Sequence, residues 1–298
     1  MIDPIKPPKL RSAPPEPPEP AEHIAKVIER EQSKRDMQRE DELSGSLAPF
    51  RVGSVSYLNA APLTRGLEDQ IELHTPSMLA ESLREGKLDA GLVSITEVLF
   101  NDQYDVLDGV AIASLGEVFS VMLAHRKPLD ELKEVWVDTA SLTSVNLLRV
   151  LLAERGLTPE FKPLDDYELA PLLDNVLLIG DRAIDFQRSP HNHQIWDLGS
   201  AWHELTGLPF VYAVWALRRD KDTKVLRQRL REAKTFGLDT LDHLINNRPE
   251  FDREFRKDYL GWHIHYHLTE DEKVGIAKFI ELLRKHGEEP VYELHFVS

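Results

Sequence analysis

The chain has 298 residues, of which 42% are hydrophobic and 29% charged, and its formal net charge is −15. This composition is that of an ordinary globular protein long enough for about two domains, and the acidic balance excludes nucleic acid as an expected partner because phosphate backbones would be repelled. The absence of cysteine excludes disulfides, thiolate metal sites and cysteine nucleophiles. No apolar run approaches the roughly 18 residues of a membrane span and the N-terminus lacks an apolar signal core, so we expect a cytoplasmic protein with no membrane partner.

The first 48 residues differ from the remainder of the sequence. Eight prolines fall within the first twenty positions, and the run from Ala21 to Glu42 is rich in charge with few apolar residues. Such a segment has little apolar surface to bury and does not favour a packed fold. We therefore expect residues 1–48 to form a disordered arm and exclude it from the fold.

From Phe50 onward, strand and helix patterns alternate along the chain. The first series comprises strand RVGSVSY, helix LTRGLED, strand IELHT, helix SMLAESLREG and strand LDAGLVSI, and the strands YDVLDGVAIAS and VFSVMLAH follow it. The second series comprises strand KEVWVD, the amphipathic helix SVNLLRVLLAERG, and then EFKPL, ELAPLLD and NVLLIGD as strand, helix and strand. The long apolar strand FVYAVWALRR comes next, and the sequence after Thr223 is mainly helical.

This order of elements predicts the fold class. Strands separated by short helices indicate mainly parallel sheets with helices on both faces. Because the pattern occurs twice, with the extended segments VFSVMLAHR and FVYAVWALRR between and after the two series, we predict an α/β protein of two lobes with a cleft at the hinge. We assign residues 49–126, completed by the mainly helical residues 218–298, to lobe 1 and residues 127–217 to lobe 2.

Polar side chains cluster at the ends of the predicted strands, where open α/β sheets bind their ligands. They are Asn59, Ser94, Thr96, Ser141, Thr143, Ser144 and Asp181. A turn is the alternative for Asn59, and helix capping is the alternative for the hydroxyls. One cap needs one hydroxyl, however, and Ser141, Thr143 and Ser144 offer three beside free N–H groups, which favours an anion site suited to a carboxylate.

Two further features are weaker candidates. Ser120 lies within a hydrophobic strand, where a buried core hydroxyl is the commoner role. His263, His265 and His267 would share one face of a strand and could bind zinc, but the segment can equally lead into the following helix and no carboxylate partner is evident, so we expect no metal site. Glycine-rich nucleotide motifs and the GxSxG nucleophile elbow do not occur, and no paired carboxylates indicate acid–base catalysis.

Five segments of the chain carry a resemblance to a known family. SYLNAAPL, LREGKLDAGLVSITEVL, TASLTSVNLLRVLL, VLLIGDRA and DLGSAWHELTGLPFVYAVWALRRD occur in this order between about Arg51 and Asp220. Together they resemble the chorismate dehydratase family of the futalosine route to menaquinone. The resemblance implies a periplasmic-binding-protein-like type II fold, a hydro-lyase that removes water from chorismate to give 3-[(1-carboxyvinyl)oxy]benzoate, and no metal or redox cofactor.

The resemblance also assigns site residues. By it, Asn59, the asparagine of the YLN motif, and Ser120, four residues after Gly116, are catalytic. A carboxamide can donate a hydrogen bond to the departing hydroxyl and accept one from a ring substituent. The predicted substrate-binding residues are Tyr57, Ser94, Ser141, Thr143, Ser144, Gly180 and Asp181. Of these, Thr143 and Ser144, with the helix N-terminus, are expected to hold a substrate carboxylate.

One position departs from the family's pattern, and two other functions stay open. Many members have an arginine where this chain has Leu142, so a cationic partner for a substrate carboxylate is missing if that side chain contacts substrate. A cytosolic binding protein that uses the same cleft without chemistry is one alternative, because this fold more often binds solutes than transforms them. The sister lyase of the same pathway is the other, although its first strand usually reads SPCPNDT rather than SYLN. The sequence does not indicate the oligomeric state.

Overall fold

The computed structural model describes residues 30–32, 34–35, 46–138, 141–287 and 290–298. The chain divides into two units, Met1–Glu42 and Leu43–Ser298. In the first unit, residues 30–32, 34 and 35 are helical, and the rest of the predicted N-terminal arm up to residue 45 lies outside the described residues. Everything below concerns the second unit.

The first sheet of this unit has six strands in the order β11-β4-β10-β3-β1-β2. These strands are β1 (Val52–Ser54), β2 (Ile71–Leu73), β3 (Ala90–Ser94), β4 (Tyr104–Ser114), β10 (Phe210–Arg218) and β11 (Phe296–Val297). β1 pairs in parallel with both β2 and β3, whereas β10 runs antiparallel between β3 and β4. The carboxyl ends of β1 and β3 therefore meet at one edge of the sheet.

The second sheet has five strands in the order β7-β6-β8-β5-β9. These strands are β5 (Val121–His125), β6 (Glu134–Val137), β7 (Glu160–Pro163), β8 (Asn175–Ile179) and β9 (Gln194–Asp197). β6 pairs in parallel with β7 and β8, and β5 runs antiparallel between β8 and β9. The predicted α/β class with two sheets is confirmed, and both sheets are mixed because one long strand in each runs against its neighbours.

Helices flank the two sheets. They are α1 (Ala61–Thr64), α2 (Pro76–Arg84), α3 (Ile95–Phe100), α4 (Leu142–Ala153), α5 (Gly180–Arg188), α6 (Leu198–Thr206), α7 (Lys224–Asp239), α8 (Leu241–Asn247), α9 (Arg253–Asp258) and α10 (Glu270–His286). Short 3₁₀ helices occupy Leu58–Ala60, Glu68–Gln70, Leu129–Glu131 and Tyr167–Leu172, and a π-helix occupies Tyr259–His263. None of the helices in the described ranges is both long and apolar enough to span a membrane.

The chain crosses between the sheets twice. Residues 115–120 lead from β4 into β5, and the segment after α6 leads back into β10. β5, which the sequence analysis places at the end of lobe 1, thus pairs within the second sheet. Val121–His125 is buried at all five positions, as a central strand of a covered sheet must be, but burial alone does not select the sheet, which is decided by the pairing of β5 with β8 and β9. The residue boundaries of the two lobes stay a prediction.

An aromatic cluster anchors α6 and α10 on β10. The Trp202 ring lies edge-on to Phe210 and Phe279 at centroid distances of 5.1 and 5.9 Å, and Phe210 lies 5.0 Å from Phe279. The Trp202 indole N–H donates to Pro209 O at 3.1 Å. Each of these buried rings contributes roughly 1.5–3 kcal/mol through burial alone, so the return crossover is held rigidly at its start.

Helix α7 approaches α1 closely at a glycine. A Cβ atom on Gly237 would lie 1.9 Å from Pro62 O, so only a residue without a side chain lets the two helices meet here. Pro62 itself stands in the first turn of α1, where a missing N–H costs nothing. This contact fixes α1 at Pro62, three residues after Asn59.

We expect Gly237→Ala to lower the free energy of unfolding by about 1–3 kcal/mol, because the added methyl group must push α7 away from α1. Gly261→Ala is the matched control, since a Cβ atom there meets nothing within 4 Å among the described residues. Urea denaturation followed by circular dichroism measures both. Equal stability of the two variants would contradict the packing assigned to Gly237.

Candidate functional site

A cleft of about 690 Å³ lies between the two sheets. Eight of the nine residues that the sequence predicts for the site line it: Tyr57, Asn59, Ser94, Ser120, Ser141, Thr143, Ser144 and Gly180. The ninth, Asp181, bonds to the backbone beside the cleft. None of the described side chains that line the cleft carries a formal charge, so an anion bound there is held by neutral donors.

Asn59 enters the cleft from a 3₁₀ turn that follows β1. Its neighbours Leu58 and Ala60 are fully buried and anchor this turn, which leaves the carboxamide half-buried at the cleft. The Asn59 Nδ2 group donates to the phenol oxygen of Tyr259 at 3.1 Å. The second N–H and the carbonyl oxygen of the carboxamide remain for a ligand.

Ser120 reaches the same phenol from the first crossover. It is 1% exposed, and its side chain lies close enough to Tyr259 to lower the pKa of the phenol. The backbone holds it on both sides, because Ser120 N donates to Val118 O and Gly180 N donates to Ser120 O, both at 2.7 Å. Asn59 and Ser120, predicted as the catalytic pair, therefore both lie beside Tyr259, which the sequence analysis did not select.

The Asp197 carboxylate holds the crossover in place. It accepts hydrogen bonds from Phe119 N at 2.9 Å and from Val118 N at 3.1 Å, and it also caps α6 by accepting from Ser200 N at 2.9 Å. Burial raises the pKa of Asp197 above its usual range. Phe119 adopts the left-handed region at φ 61°, a costly conformation for a bulky residue, and the Asp197 bonds keep it there.

Gly199 allows this clamp to form. A Cβ atom at Gly199 would lie 2.3 Å from Gly116 O and 2.8 Å from the Tyr212 hydroxyl. The crossover can therefore lie against the start of α6 only where that helix carries a glycine. The segment Asp197–Gly199, with its carboxylate and its glycine, thus positions the loop that carries Ser120.

Of the two serine hydroxyls at the N-terminus of α4, that of Ser141 caps the helix and that of Ser144 is available to the cleft. Ser141 Oγ accepts from Ser144 N at 3.3 Å and donates to Ser144 Oγ at 2.8 Å, which is the single cap that the helix needs. The Ser144 hydroxyl keeps its own proton and lines the cleft. It is the hydroxyl of this helix best placed to donate to a bound carboxylate.

Thr143 links the two sheets. Its hydroxyl donates to Thr96 Oγ1 at 2.9 Å and accepts from Thr96 N at 3.0 Å, so it is occupied by the start of α3 and can offer a ligand little more than a lone pair. Ser94 precedes that helix but makes no side-chain cap and lines the cleft. Of the hydroxyls at the end of β3, Ser94 is therefore the one that faces a ligand.

Tyr57 covers the start of α5. Gly180 lies at φ 60°, and a Cβ atom on it would lie 3.0 Å from the Tyr57 ring, so the glycine lets the ring pack flat on the backbone.

Asp181 Oδ1 accepts from Leu58 N at 3.4 Å, a second bond between the sheets. Burial raises the pKa of Asp181 to about 6, and burial, with the charge of Asp138, raises the pKa of Tyr57 to about 12.

The three histidines near residue 265 point to different partners. His263 Nδ1 hydrogen-bonds to Glu117 O at 3.0 Å, His267 Nδ1 accepts from Lys234 Nζ at 3.0 Å, and the backbone of His265 pairs with Ala113. Across the described ranges, no group of three or more histidine, aspartate or glutamate side chains is arranged to hold a metal ion. The segment leads into α10 rather than forming a strand.

Leu142, the position where an arginine was expected, is 40% exposed at the first residue of α4. Thr143 and Ser144, which follow it, line the cleft. The departure at Leu142 therefore falls on a solvent-facing position of the helix.

Two tyrosines at the site escaped the sequence analysis. Tyr212, on β10, lines the cleft and bonds through its hydroxyl to Ser114 Oγ at 3.1 Å. Tyr259 lies 200 residues from Asn59 along the chain, in a π-helix, a feature that is frequent at functional sites. No local pattern marks either residue, because each is brought to the cleft by the fold.

Sequence comparison places the chain among menaquinone enzymes. Residues 50–285 match a protein family described as "Menaquinone biosynthesis". A chorismate dehydratase from Thermus thermophilus is 36% identical over 261 residues, which cover 80% of this chain and 96% of that relative.

Structural comparison supports the fold. A crystal structure of a protein from Archaeoglobus fulgidus superposes with a TM-score of 0.65 at 20% identity, covering 80% of this chain and 97% of that one. The periplasmic aliphatic sulphonate binding protein of Escherichia coli superposes with a TM-score of 0.53 at 15% identity, covering 84% and 93%. These likenesses concern the fold alone, and they confirm the predicted periplasmic-binding-protein-like fold.

Asp181 gives a prediction for the pH dependence of stability. Because its folded pKa of about 6 lies above the ordinary value of 3.8, the folded state holds this proton more tightly, and the stabilisation is lost as the pH rises from about 4 to about 6. Asp181→Asn should therefore gain stability relative to the unchanged protein across that window, by about 1 kcal/mol once solvent screening is allowed for.

Urea denaturation at pH 4, 5, 6 and 7 measures this difference. Asp130→Asn, at an exposed acid in the 3₁₀ helix Leu129–Glu131, is the control for the loss of one negative charge. A difference between Asp181→Asn and the unchanged protein that does not vary with pH would refute the assignment.

Proposed function

The chain belongs to the menaquinone-biosynthesis family, and from that premise we propose that it is a chorismate dehydratase. The observation that carries the proposal is the 36% identity to a chorismate dehydratase across 96% of that relative's length. The cleft supports it, since it gathers the residues that the resemblance selects.

The reaction is the elimination of one water from chorismate. The C3–H bond breaks, its electron pair forms the C3–C4 double bond, and the C4–O bond breaks so that the hydroxyl leaves and combines with a proton as water. The ring becomes aromatic, and the product is 3-[(1-carboxyvinyl)oxy]benzoate. Aromatisation supplies the driving force, so the protein has to orient the substrate and stabilise the leaving oxygen.

Asn59 and Ser120 are assigned to the leaving hydroxyl. Both lie at the cleft with hydrogen-bonding capacity to spare, Asn59 through its second N–H and its carbonyl oxygen and Ser120 through its hydroxyl. A fixed donor aimed at an oxygen that gains negative charge contributes about 3–4 kcal/mol in a site without water. Neutral donors suit this task because they stabilise the charge without being titrated.

The substrate carboxylates are assigned to the hydroxyls and N–H groups at the rim of the two sheets. Ser144, at the N-terminus of the twelve-residue α4, and Ser94, at the end of β3, face the cleft from opposite sides. The α4 N-terminus adds a favourable dipole worth about 0.3–1 kcal/mol. Thr143 contributes through its backbone rather than through its hydroxyl, which Thr96 occupies.

The base that removes the C3 proton is assigned to the substrate. Among the described residues that line the cleft, the titratable side chains are the phenols of Tyr57 and Tyr212. Burial raises the pKa of both, to about 12 for Tyr57, so they stay protonated near neutral pH and are poor bases. The enolpyruvyl carboxylate of chorismate lies close to C3 in the substrate itself and takes the proton.

A cytoplasmic location, expected from the sequence, stays a prediction.

The purified protein should convert chorismate to 3-[(1-carboxyvinyl)oxy]benzoate, with a mass loss equal to one water. Liquid chromatography with mass detection measures both compounds, and boiled protein is the control for spontaneous decay. Chorismate that binds in calorimetry but is never converted would instead support a binding protein with the same cleft.

Asn59→Ala should lower kcat by roughly 10²–10³-fold, because the variant lacks the donor to the leaving oxygen. Asn59→Asp, which keeps the shape but replaces the amide by an acceptor, should lose a similar amount. Asn247→Ala, at an exposed asparagine at the end of α8, is the control and should turn over normally. Wild-type rates from folded Asn59→Ala protein would return Asn59 to the role of a turn residue.

A further inference from the structure

Tyr259 joins the two residues that the proposed function assigns to the leaving hydroxyl. Its phenol oxygen accepts from Asn59 Nδ2 at 3.1 Å, and the Ser120 side chain lies close enough to lower the pKa of the phenol. The three residues come from the turn after β1, the first crossover and the π-helix. One buried phenol therefore connects groups on three segments that are far apart in sequence.

The bond from Asn59 to Tyr259 fixes the direction of the carboxamide. Asn59 Nδ2 can only donate, so the phenol oxygen accepts from it. With one N–H held by the phenol, the second N–H and the carbonyl oxygen of Asn59 keep a fixed orientation.

The ring of Tyr259 is firmly held. It is 1% exposed and stacks on Phe255 with a centroid distance of 5.5 Å and an interplanar angle of 16°. Phe255 in turn lies edge-on to Phe119, at 6.1 Å, next to Ser120. The phenol oxygen is thus fixed relative to Asn59 and Ser120, as a group that orients others must be.

We propose that Tyr259 is a positioning residue, which orients the Asn59 carboxamide in the cleft. The role rests on the proposed function, because it matters only where Asn59 acts on a substrate. Tyr259 does not itself touch the reacting atoms. Burial raises the pKa of Tyr259 well above its usual range, so the phenol keeps its proton and the orientation persists across the working pH range.

A second buried tyrosine provides a matched control. Tyr266, seven residues further on, is 3% exposed, and its hydroxyl has no hydrogen-bond partner among the described residues. Replacing either tyrosine by phenylalanine removes one oxygen and keeps the ring. A purely structural role of the Tyr259 ring would make the two variants alike.

The kinetic test compares Tyr259→Phe with Tyr266→Phe on chorismate. Tyr259→Phe should lower kcat roughly 10- to 100-fold with KM changed less than about threefold, because substrate binding survives while the donors are misdirected. Tyr266→Phe should leave kcat within about twofold. In an Asn59→Ala background, Tyr259→Phe should cost much less than it does alone, since the two act through one bond. Equal kcat for the two phenylalanine variants, or full additivity with Asn59→Ala, would overturn the proposal.

A spectroscopic test needs no substrate and separates this proposal from the proposed function. In protein labelled with ¹⁵N-asparagine, the Asn59 side-chain amide signal is assigned by its loss in Asn59→Ala. Tyr259→Phe should shift this signal and speed its proton exchange, whereas Tyr266→Phe should do neither. An Asn59 signal unchanged by Tyr259→Phe would refute the positioning role even if the protein converts chorismate, and a shifted signal in a protein that leaves chorismate intact would refute the proposed function alone.

Discussion

The Asp197 carboxylate is the group on which the site depends most. A loop that crosses between two sheets has no ladder partners, so its backbone N–H groups must be satisfied by something else. Asp197 satisfies those of Val118 and Phe119 and caps α6 at the same time. These bonds hold Phe119 in a left-handed conformation, and that conformation sets where Ser120 emerges. One buried acid thus converts an irregular loop into a fixed part of the cleft.

The lining of the cleft resolves an electrostatic problem. The chain carries a net charge of −15, and long-range repulsion would oppose a dianionic substrate. The described lining residues carry no charge of their own, so no buried carboxylate adds to this repulsion at short range. Hydroxyls, a carboxamide and helix N–H groups supply the attraction instead. Because they are dipoles fixed by the fold, they require no reorganisation when negative charge moves onto the departing oxygen.

Local sequence chemistry predicts some of this site and fails on the rest for a physical reason. Strand ends followed by small and polar residues indicate where a ligand binds, which is why Asn59, Ser94 and Ser144 could be found at the edge of the cleft. Ser120 could not be separated from a core hydroxyl by its neighbours, and only the family resemblance selected it. No sequence pattern marks Tyr259 as a site residue. In the segment YLGW it resembles any buried tyrosine, and only the fold brings it next to Asn59. The two-sheet architecture followed from the alternation of elements, but the sheet to which β5 belongs depends on pairing that no local pattern encodes.

Four polar bonds join elements that flank the cleft. Thr143 to Thr96 and Leu58 to Asp181 are hydrogen bonds across the cleft, and each contributes about 0.5–1.5 kcal/mol net. The ion pairs of Arg188 with Asp252 and of Glu154 with Lys285 lie at the surface, where such pairs contribute about 0–1 kcal/mol. One hydrophobic core also contains residues of both sheets, among them Val52 and Val214 of the first and Leu123 and Leu177 of the second. Burial of this core, rather than the four polar bonds, therefore supplies most of the attachment between the sheets, and the polar bonds fix the position of the cleft residues within it.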